Sequence, residues 1–312
     1  MEKHSILTVT LNPAIDTAYR LDELAIGEST RTANPIKTAG GKGLNVTRVL
    51  KLLGEEVTAT GFLGGSNGVF IRGELRKLGV TDAFVQIEGE TRQCLAFIDR
   101  EKRQTEILEE GPFISAKEAE EFRVAAEGFL KDAGIVAISG SLPKGVSSEL
   151  YQSIIETANR GGAKVLLDTS GDALANCLSA RPFLIKPNRH ELEQLIGKTC
   201  GSEDDIWEAM AQIAENGIPA IVVSDGENGS FVLYEGKRFY VAAAKVETVS
   251  AVGSGDSFIA GVAAGLARGY SFEEVLRLAS ACGAANAMEA KTGYIQAKYV
   301  EKIASEIVVK GL

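Results

Sequence analysis

Short apolar runs rich in β-branched residues alternate with helix-length segments along most of this 312-residue chain. The runs that predict strands are residues 6–11, 57–63, 135–139, 165–168, 183–186 and 221–224. The segments with near-helical spacing of apolar residues are 44–53, 69–78, 116–130, 150–159 and 206–214. Because parallel strands need crossover connections, this alternation predicts an α/β fold with a mostly parallel sheet covered by helices on both faces. Ligands bind to such sheets beyond the carboxyl ends of the strands.

Polar and apolar residues alternate, with little helical spacing, in residues 17–38 and 84–112. This spacing is typical of strands with one exposed face. We predict that these regions form a small antiparallel sheet that serves as a lid, and that residues 1–312 make a single α/β domain. The alternative is an antiparallel edge of the central sheet.

The composition restricts the partners of the chain. A net charge of −9, with 33 Lys and Arg against 42 Asp and Glu, argues against nucleic acid or an anionic membrane surface as the main partner. Neither a signal-peptide h-region nor an apolar run of about 18 residues occurs, so we expect a cytoplasmic protein. The four cysteines are widely separated and there are two histidines, which argues against disulfides and structural zinc.

A glycine-rich turn within residues 251–261 gives the strongest indication of chemistry. Gly253 and Gly255 lack a Cβ, so their backbone can adopt positive φ and let a ligand approach the amide groups. The apolar segment that follows predicts a helix whose amino terminus would attract a phosphate or a developing oxyanion. Asp256 stands in the first turn, where it either caps the helix or accepts a proton from an attacking hydroxyl. This segment favours phosphoryl transfer.

Two better-known nucleotide motifs are incomplete in this chain. Measured against a P-loop, the sequence has Ile36 in place of the first glycine and Gly43 in place of the Ser or Thr. Measured against the dinucleotide pattern Gly-x-Gly-x-x-Gly, it has Phe258 in place of the third glycine, and the match lies near the carboxyl terminus. These departures exclude a P-loop and disfavour an NAD-dependent oxidoreductase.

A second glycine turn, at residues 38–45, precedes another helical segment. Such a turn is by itself usually only a loop. Lys42 and Asn45, however, would place an ammonium and an amide beside a closely approached backbone, which suits a phosphorylated, polyhydroxylated ligand. Asp16, after the first strand, is either a turn aspartate or an acceptor for sugar hydroxyls. Arg92 is either a solvated strand charge or a bidentate clamp for phosphate.

Residues 186–191 close a strand and open a helix. Asn188 with Glu191 three residues later resembles a capping box, which needs no ligand. The functional alternative has both residues holding Mg²⁺ through waters, with Lys186 near the nucleotide phosphates. Residues 224–229, Ser-Asp-Gly-Glu-Asn-Gly, are either a β-turn or the floor of a nucleotide site.

The order and spacing of these motifs resemble the ribokinase-like pfkB family of carbohydrate kinases over essentially the full length of the chain. The residues that carry the resemblance are Asn12-Pro13 with Asp16, Gly40-Gly41-Lys42-Gly43 with Asn45, Lys186 with Asn188-x-x-Glu191, and Gly253-Ser254-Gly255-Asp256. Residues 90–92, 104–112 and 290–294 are similar to the branch of tagatose-6-phosphate kinases and 1-phosphofructokinases, and closer to the former. The resemblance implies a ribokinase-like three-layer sandwich with a small β-sheet lid.

The resemblance also implies a role for each motif. Asp256 would be the catalytic base, and the amides of Gly253, Ser254 and Gly255 would form the anion hole. The residues implied to bind the sugar phosphate are Asp16, Gly40, Gly41, Lys42, Asn45 and Arg92. The residues implied on the ATP side are Lys186, Ser224, Gly226, Gly229 and Asn286, with Asn188 and Glu191 holding Mg²⁺ through water.

The implied reaction is the transfer of the γ-phosphoryl group of ATP to a hydroxyl of a ketohexose phosphate. Within the branch, the first expectation is tagatose-6-phosphate as substrate, giving tagatose-1,6-bisphosphate, and the alternative is fructose-1-phosphate, giving fructose-1,6-bisphosphate. An NAD-dependent oxidoreductase and a non-catalytic sugar sensor on the same scaffold are two further classes. Because lid strands often mediate dimers in this family, the resemblance also implies a homodimer through the lid.

Overall fold

The strands form two separate sheets in the computed structural model, which describes residues 5–33, 35–101 and 103–312. In chain order the strands are β1 (Ile6–Thr10), β2 (Ala14–Arg20), β3 (Ile36–Gly40), β4 (Val57–Gly64), β5 (Thr81–Asp82), β6 (Val85–Ile87), β7 (Arg92–Ile98), β8 (Gln104–Leu108), β9 (Ile135–Ser139), β10 (Lys164–Asp168), β11 (Leu184–Ile185), β12 (Ala220–Ser224), β13 (Ser230–Tyr234), β14 (Lys237–Val241) and β15 (Val309–Gly311).

The larger sheet is parallel from β12 through β11, β10, β9, β1 and β4 to β5. Strand β6 pairs in parallel with the last residues of β4. At the other edge β13, β14 and β15 continue the sheet in antiparallel pairs. The predicted, mostly parallel sheet is thus confirmed, and its parallel strands present their carboxyl ends along one edge.

Helices cover both faces of the larger sheet. In chain order they are α1 (Lys42–Leu52), α2 (Gly65–Lys77), α3 (Ala116–Asp132), α4 (Ser148–Arg160), α5 (Gly171–Cys177), α6 (Arg189–Ile196), α7 (Glu203–Ala214), α8 (Ser254–Ala267), α9 (Phe272–Ala287) and α10 (Ala297–Glu306). Side chains of α3 to α7, among them Phe122 and Trp207, share one hydrophobic core with the sheet. Side chains of α1, α8, α9 and α10, among them Val49 and Ile259, form the core of the opposite face. This arrangement confirms the three-layer sandwich. None of the helices in the described residues has the length and apolar run needed to cross a membrane.

The small sheet consists of β3, β2, β7 and β8, in that order. Its outer pairs are antiparallel, but β2 and β7 run parallel, with Asp16 opposite Cys94. The expectation of an antiparallel sheet was wrong at this pair. Side-chain alternation shows which face of a strand is exposed, whereas direction depends on connections. Because β1 and β6 run in the same direction beside β4, the strands that follow them, β2 and β7, also enter the small sheet in the same direction.

Residues 17–38 and 84–112 contain fewer residues of the small sheet than expected. Residues 85–87 pair with β4 of the larger sheet, and in parallel, so neither the small-sheet prediction nor the antiparallel-edge alternative describes them. Of residues 17–38, the described residues between Arg20 and Ile36 form no strand. Whether the small sheet acts as a lid on a single domain stays a prediction.

Candidate active site

A cavity of about 880 Å³ lies between the small sheet and the carboxyl ends of the parallel strands. Thr10 of β1, Asp168 of β10 and Ser224 of β12 line it from the larger sheet. The predicted site residues that line it are Asp16, Gly41, Lys42, Asn45, Arg92, Lys186, Asn188, Glu191, Ser224, Gly253, Gly255 and Asp256. Twelve predicted residues that are widely separated in the sequence therefore share one cavity, at the edge where ligands of parallel sheets bind.

The glycine turn before α8 has the predicted position but not all of the predicted geometry. Gly253 is the N-cap of α8 with φ of 86°, a left-handed conformation that favours glycine. Gly255 is instead helical, because the helix begins at Ser254; a Cβ there would lie 3.1 Å from Lys186 Nζ. The Ser254 amide donates to the Ala251 carbonyl within the turn, and Ser254 does not line the cavity.

Asp256 lies in the first turn of α8 with only 6% of its surface exposed. Its Oδ2 accepts a hydrogen bond of 2.8 Å from Asn45 Nδ2 of α1. Burial raises the pKa of Asp256 to about 7, and the negative charge of Asp168 adds to this, while Asn45, Lys42 and Lys186 oppose it. A carboxylate with a pKa near neutrality is suited to accept a proton from a hydroxyl.

Asp168 is a buried carboxylate that no sequence motif singles out, since the pattern makes it only the last residue of a predicted strand. It is 2% exposed and lies 3.4 Å from Lys186 Nζ and 3.9 Å from Lys42 Nζ, measured from Oδ1. The negative charge of Asp168 is the main reason that the pKa of Lys42 is raised. Asp168 thus holds two cations beside Asp256. A carboxylate at the carboxyl end of a predicted parallel strand was the signal that could have identified it.

The second glycine turn brings Asp16 against α1. Strand β3 ends at Gly40, Gly41 is the N-cap of α1 with φ of 96°, and the helix begins at Lys42. A Cβ on Gly40 would collide with the Asp16 carboxylate, so any other residue there would displace the Asp16 side chain. Asp16 lies within β2, so the interpretation of Asp16 as a turn residue is wrong. Burial raises the pKa of Asp16 to about 6, against the opposing charges of Arg48 and Arg92.

Some of the N–H donors of Arg92 bind backbone carbonyls of the protein. Its Nη1 donates to the Glu109 carbonyl at 2.8 Å, and its Nε and Nη2 donate to the Asn12 carbonyl at 3.3 and 3.1 Å. Each terminal nitrogen of a guanidinium carries two N–H groups, so both keep one more for a ligand. Arg92 is therefore more than a solvated strand charge, since it joins the β1–β2 turn to the end of β8.

Asn188 and Glu191 form a capping box at the start of α6. Asn188 Oδ1 accepts from the Glu191 amide at 2.8 Å, and Glu191 Oε2 accepts from the Asn188 amide at 2.9 Å. The structural interpretation is thus correct, yet both residues also line the cavity. Lys186, two residues earlier, is 7% exposed and directs its ammonium group at Asp168.

Five predicted residues do not line the cavity, namely Gly40, Ser254, Gly226, Gly229 and Asn286. Gly226 begins a short 3₁₀ turn that ends before Gly229. Asn286 is fully buried. Its Nδ2 donates to the Val252 carbonyl and its Oδ1 accepts from the Gly293 amide, both at 2.8 Å. Asn286 therefore supports the backbone before α8 from behind the cavity wall.

Comparisons with known proteins agree with this arrangement. Residues 9–297 match the family described as "pfkB family carbohydrate kinase". Over 307 residues the chain is 42% identical to a tagatose-6-phosphate kinase of Staphylococcus epidermidis, covering 97% of this chain and 99% of that one. The tetrameric inhibited form of phosphofructokinase-2 from Escherichia coli has a TM-score of 0.89 and 30% identity, with 97% and 98% covered. A possible 1-phosphofructokinase from Thermotoga maritima has a TM-score of 0.89 and 27% identity, with 99% and 100% covered. The chain belongs to the pfkB family of carbohydrate kinases, which use ATP to phosphorylate a sugar hydroxyl.

Proposed function

We propose that this protein phosphorylates tagatose-6-phosphate with ATP, giving tagatose-1,6-bisphosphate and ADP. The observation that carries the reaction type is the buried Asp256 carboxylate at the amino end of α8, beside the cations of Lys42 and Lys186. The substrate is proposed from the 42% identity to the S. epidermidis tagatose-6-phosphate kinase. Fructose-1-phosphate is the second candidate, because a possible 1-phosphofructokinase has the same fold over the whole chain.

In the proposed reaction Asp256 accepts the proton of the attacking sugar hydroxyl. The hydroxyl oxygen then bonds to the γ-phosphorus as the bond to the β,γ-bridging oxygen breaks, and ADP leaves. The amino terminus of α8 supplies unpaired amides and a positive partial charge to the transferring group. Because the Ser254 amide donates to Ala251, we assign this anion hole to the amides of Gly253, Gly255 and Asp256 itself.

The sugar phosphate is proposed to occupy the half of the cavity next to the small sheet. Asp16 and Asn45 would bind sugar hydroxyls, the backbone at Gly41 would let the sugar approach closely, and Gly40 would contribute by leaving room for Asp16. Lys42 and the remaining N–H groups of Arg92 would meet the phosphate that the substrate already carries. The nucleotide would lie towards Lys186, Ser224, Gly226 and Gly229, with Asn286 shaping this half of the cavity from behind.

The residues proposed for Mg²⁺ are compatible with a hydrated ion. Glu191 caps α6 through Oε2, which leaves Oε1 for a ligand, and both Asn188 and Glu191 carry hard oxygen atoms and line the cavity. Mg²⁺ would neutralise phosphate charge as it develops. The capping box would fix the two side chains so that they can bind the ion's waters.

We also propose that the small sheet is a lid over the sugar and that it mediates a homodimer. The small sheet forms one wall of the cavity, which Leu108 of β8 lines, and the neighbouring Ile107 is 55% exposed on the other face of the small sheet. The tetrameric form of E. coli phosphofructokinase-2 shows that a protein of this fold assembles. Because ATP and sugar phosphates are metabolites of the cell interior, we place the enzyme in the cytoplasm.

The proposal is tested by measuring ADP release with ATP and Mg²⁺ on tagatose-6-phosphate, fructose-1-phosphate, fructose-6-phosphate and fructose. We expect the highest kcat/KM with tagatose-6-phosphate, and we expect Asp256→Asn to lower kcat by roughly 10²–10⁴-fold with little change in KM. A preference for fructose-1-phosphate would transfer the assignment to the second candidate. Near wild-type kcat in Asp256→Asn would remove this residue as the base, and no turnover with any of the sugars would leave the sensor alternative.

A further inference from the structure

Arg48 is a half-buried cation behind the wall of the cavity that neither the motifs nor the proposed reaction uses. It lies in α1, one helical turn after Asn45. Its Nη1 donates to Asn45 Oδ1 and to the Thr292 carbonyl, both at 3.0 Å, and its Nη2 donates to the Ala39 carbonyl. One guanidinium thereby joins α1, the end of β3 and the loop after α9.

The bond from Arg48 decides which way the Asn45 amide points. An asparagine side chain has one accepting oxygen and one donating nitrogen. Since Arg48 can only donate, Oδ1 must face it, and Nδ2 is left to donate to Asp256 Oδ2 at 2.8 Å. A reversed amide would place two acceptors against each other at Asp256 and two donors against each other at Arg48.

The other two acceptors connect Arg48 to both glycine turns. Ala39 immediately precedes Gly40, whose missing Cβ makes room for Asp16. Thr292 packs against the α8 turn, since its Cγ2 would be 2.7 Å from a Cβ placed on Gly253. Arg48 therefore contacts the backbone beside the proposed sugar-binding turn and the loop that packs on the proposed anion hole.

We propose that Arg48 is a positioning residue: its planar set of donors orients the Asn45 amide so that Asn45 holds Asp256 in its ionised, proton-accepting form. This inference rests on the proposed function of Asp256 as the base. A lysine has its donors on one nitrogen, whereas the acceptors of Arg48 are divided between Nη1 and Nη2 and lie on different segments, so a lysine could not bind all three at once and hold the Asn45 amide as firmly.

The proposal has a consequence for the pH dependence of turnover. The charged groups that face Asp256 are Asp168 of β10, Lys42 and Arg48 of α1, and Lys186 after β11. Those that face Arg48 are Asp16, Glu74 and Asp256. Without the Arg48 donors, Asn45 Oδ1 can turn to Asp256 and accept a hydrogen bond from its protonated form, which raises the pKa of Asp256 above its value of about 7. A base with a higher pKa becomes active only at higher pH.

The test compares the pH profiles of kcat in Arg48→Lys, which keeps the charge but loses the fork, and Arg48→Met, which loses both. We expect the acid limb to move to higher pH by about one unit in Arg48→Met, and in the same direction in Arg48→Lys. Arg268→Met is the matched control. Arg268 also binds a carboxylate and a carbonyl, Glu55 at 2.7 Å and Leu53 at 2.8 Å, but it lies at the far end of α8.

Each outcome decides the proposal. An acid limb at the wild-type pH in folded Arg48→Lys overturns it, whether Arg48→Met is shifted, unshifted or unfolded, since charge alone would then suffice. A shift in Arg48→Lys with none in Arg268→Met supports it, and an equal shift in Arg268→Met overturns it. If Asp256→Asn retains turnover, the proposed function of Asp256 fails first. If Asp256→Asn is inactive and the Arg48 variants have wild-type profiles, the failure belongs to this inference alone.

Discussion

At the scale of single residues, the site combines burial with charge in a way that costs stability. Asp256 is almost fully buried beside a second carboxylate, Asp168. Burial disfavours the ionised form, yet a base must be ionised to act. The surrounding Asn45, Lys42 and Lys186 offset part of this cost. The protein thus holds a reactive carboxylate whose charge opposes folding at the pH at which it works.

We therefore expect Asp256→Asn to stabilise the protein at alkaline pH. The pKa of Asp256 rises from 3.8 to about 7 on folding, so its protonated form favours the folded state below about pH 4, and that contribution is lost as pH rises through 7. Asparagine carries no such charge. The melting temperature of Asp256→Asn should exceed that of the wild type by more at pH 8 than at pH 5. The whole pKa shift corresponds to at most about 4 kcal/mol in the free energy of unfolding.

The control for this prediction is Glu156→Gln, which makes the same charge change on an exposed position of α4. Its melting temperature should follow the wild type at both pH values. If Asp256→Asn shows no larger gain at pH 8 than at pH 5, the folded protein does not hold the proton of Asp256 as tightly as its burial implies.

Gly40 and Gly128 make a matched pair of glycines with opposite expected responses to alanine. A Cβ on Gly40 would collide with Asp16, whereas a Cβ on Gly128, in the exposed part of α3, meets nothing within 4 Å. We expect Gly40→Ala to displace Asp16 and lower kcat/KM by roughly 10²-fold. Gly128→Ala should leave kcat/KM unchanged and raise stability by about 0.5–1 kcal/mol. Wild-type kinetics in Gly40→Ala would show that the position of Asp16 is not critical.

At the scale of elements, the same residues can end a helix correctly and bind a ligand. The capping box of α6 is formed by Asn188 and Glu191, and that of α9 by Ser271 and Glu274. The two boxes satisfy the same backbone groups. Only the box of α6 lines the cavity. Comparing them separates the capping role of Asn188 from its proposed part in holding Mg²⁺.

We expect Asn188→Ala and Ser271→Ala each to lower the free energy of unfolding by about 1 kcal/mol, the usual contribution of an N-cap. Only Asn188→Ala should also raise the Mg²⁺ concentration needed for half-maximal activity. Asn188→Ser, which can still cap the helix, should restore the stability but not the Mg²⁺ response. Equal Mg²⁺ dependence in all three variants would reduce the motif to a helix cap.

At the scale of the whole molecule, the small sheet is where assembly is expected. Ile107 and Leu108 are consecutive residues of a strand, so their side chains lie on opposite faces of the small sheet. Because Leu108 lines the cavity, Ile107 faces away from it. We expect Ile107→Glu to give a monomer in sedimentation equilibrium, because a charge would then lie on the exposed outer face of β8. Val124→Glu, on the exposed surface of α3, should leave the dimer intact. A monomeric wild-type protein would contradict the proposed dimer.

Local patterns in the sequence determined most of the elements. The predicted strand and helix segments lie within a few residues of those observed, such as residues 135–139, which are β9 without change. Side-chain spacing depends on the period of each element alone, so it needs no knowledge of the partner. The glycine turns before α1 and α8 were equally local, because a left-handed backbone at Gly41 and Gly253 depends on the absence of a Cβ.

The tertiary structure alone decided how these pieces meet. The hydrogen bond between Asn45 and Asp256 joins residues 211 positions apart. Asp168 and Arg48 had no motif, and their importance comes from buried charges that other elements bring near them. The parallel pairing of β2 and β7 was likewise unreadable from alternation, which reports the exposed face and not the partner's direction. Local sequence sets the backbone's period, but burial and charge pairing depend on distant segments, and these only the folded chain brings together.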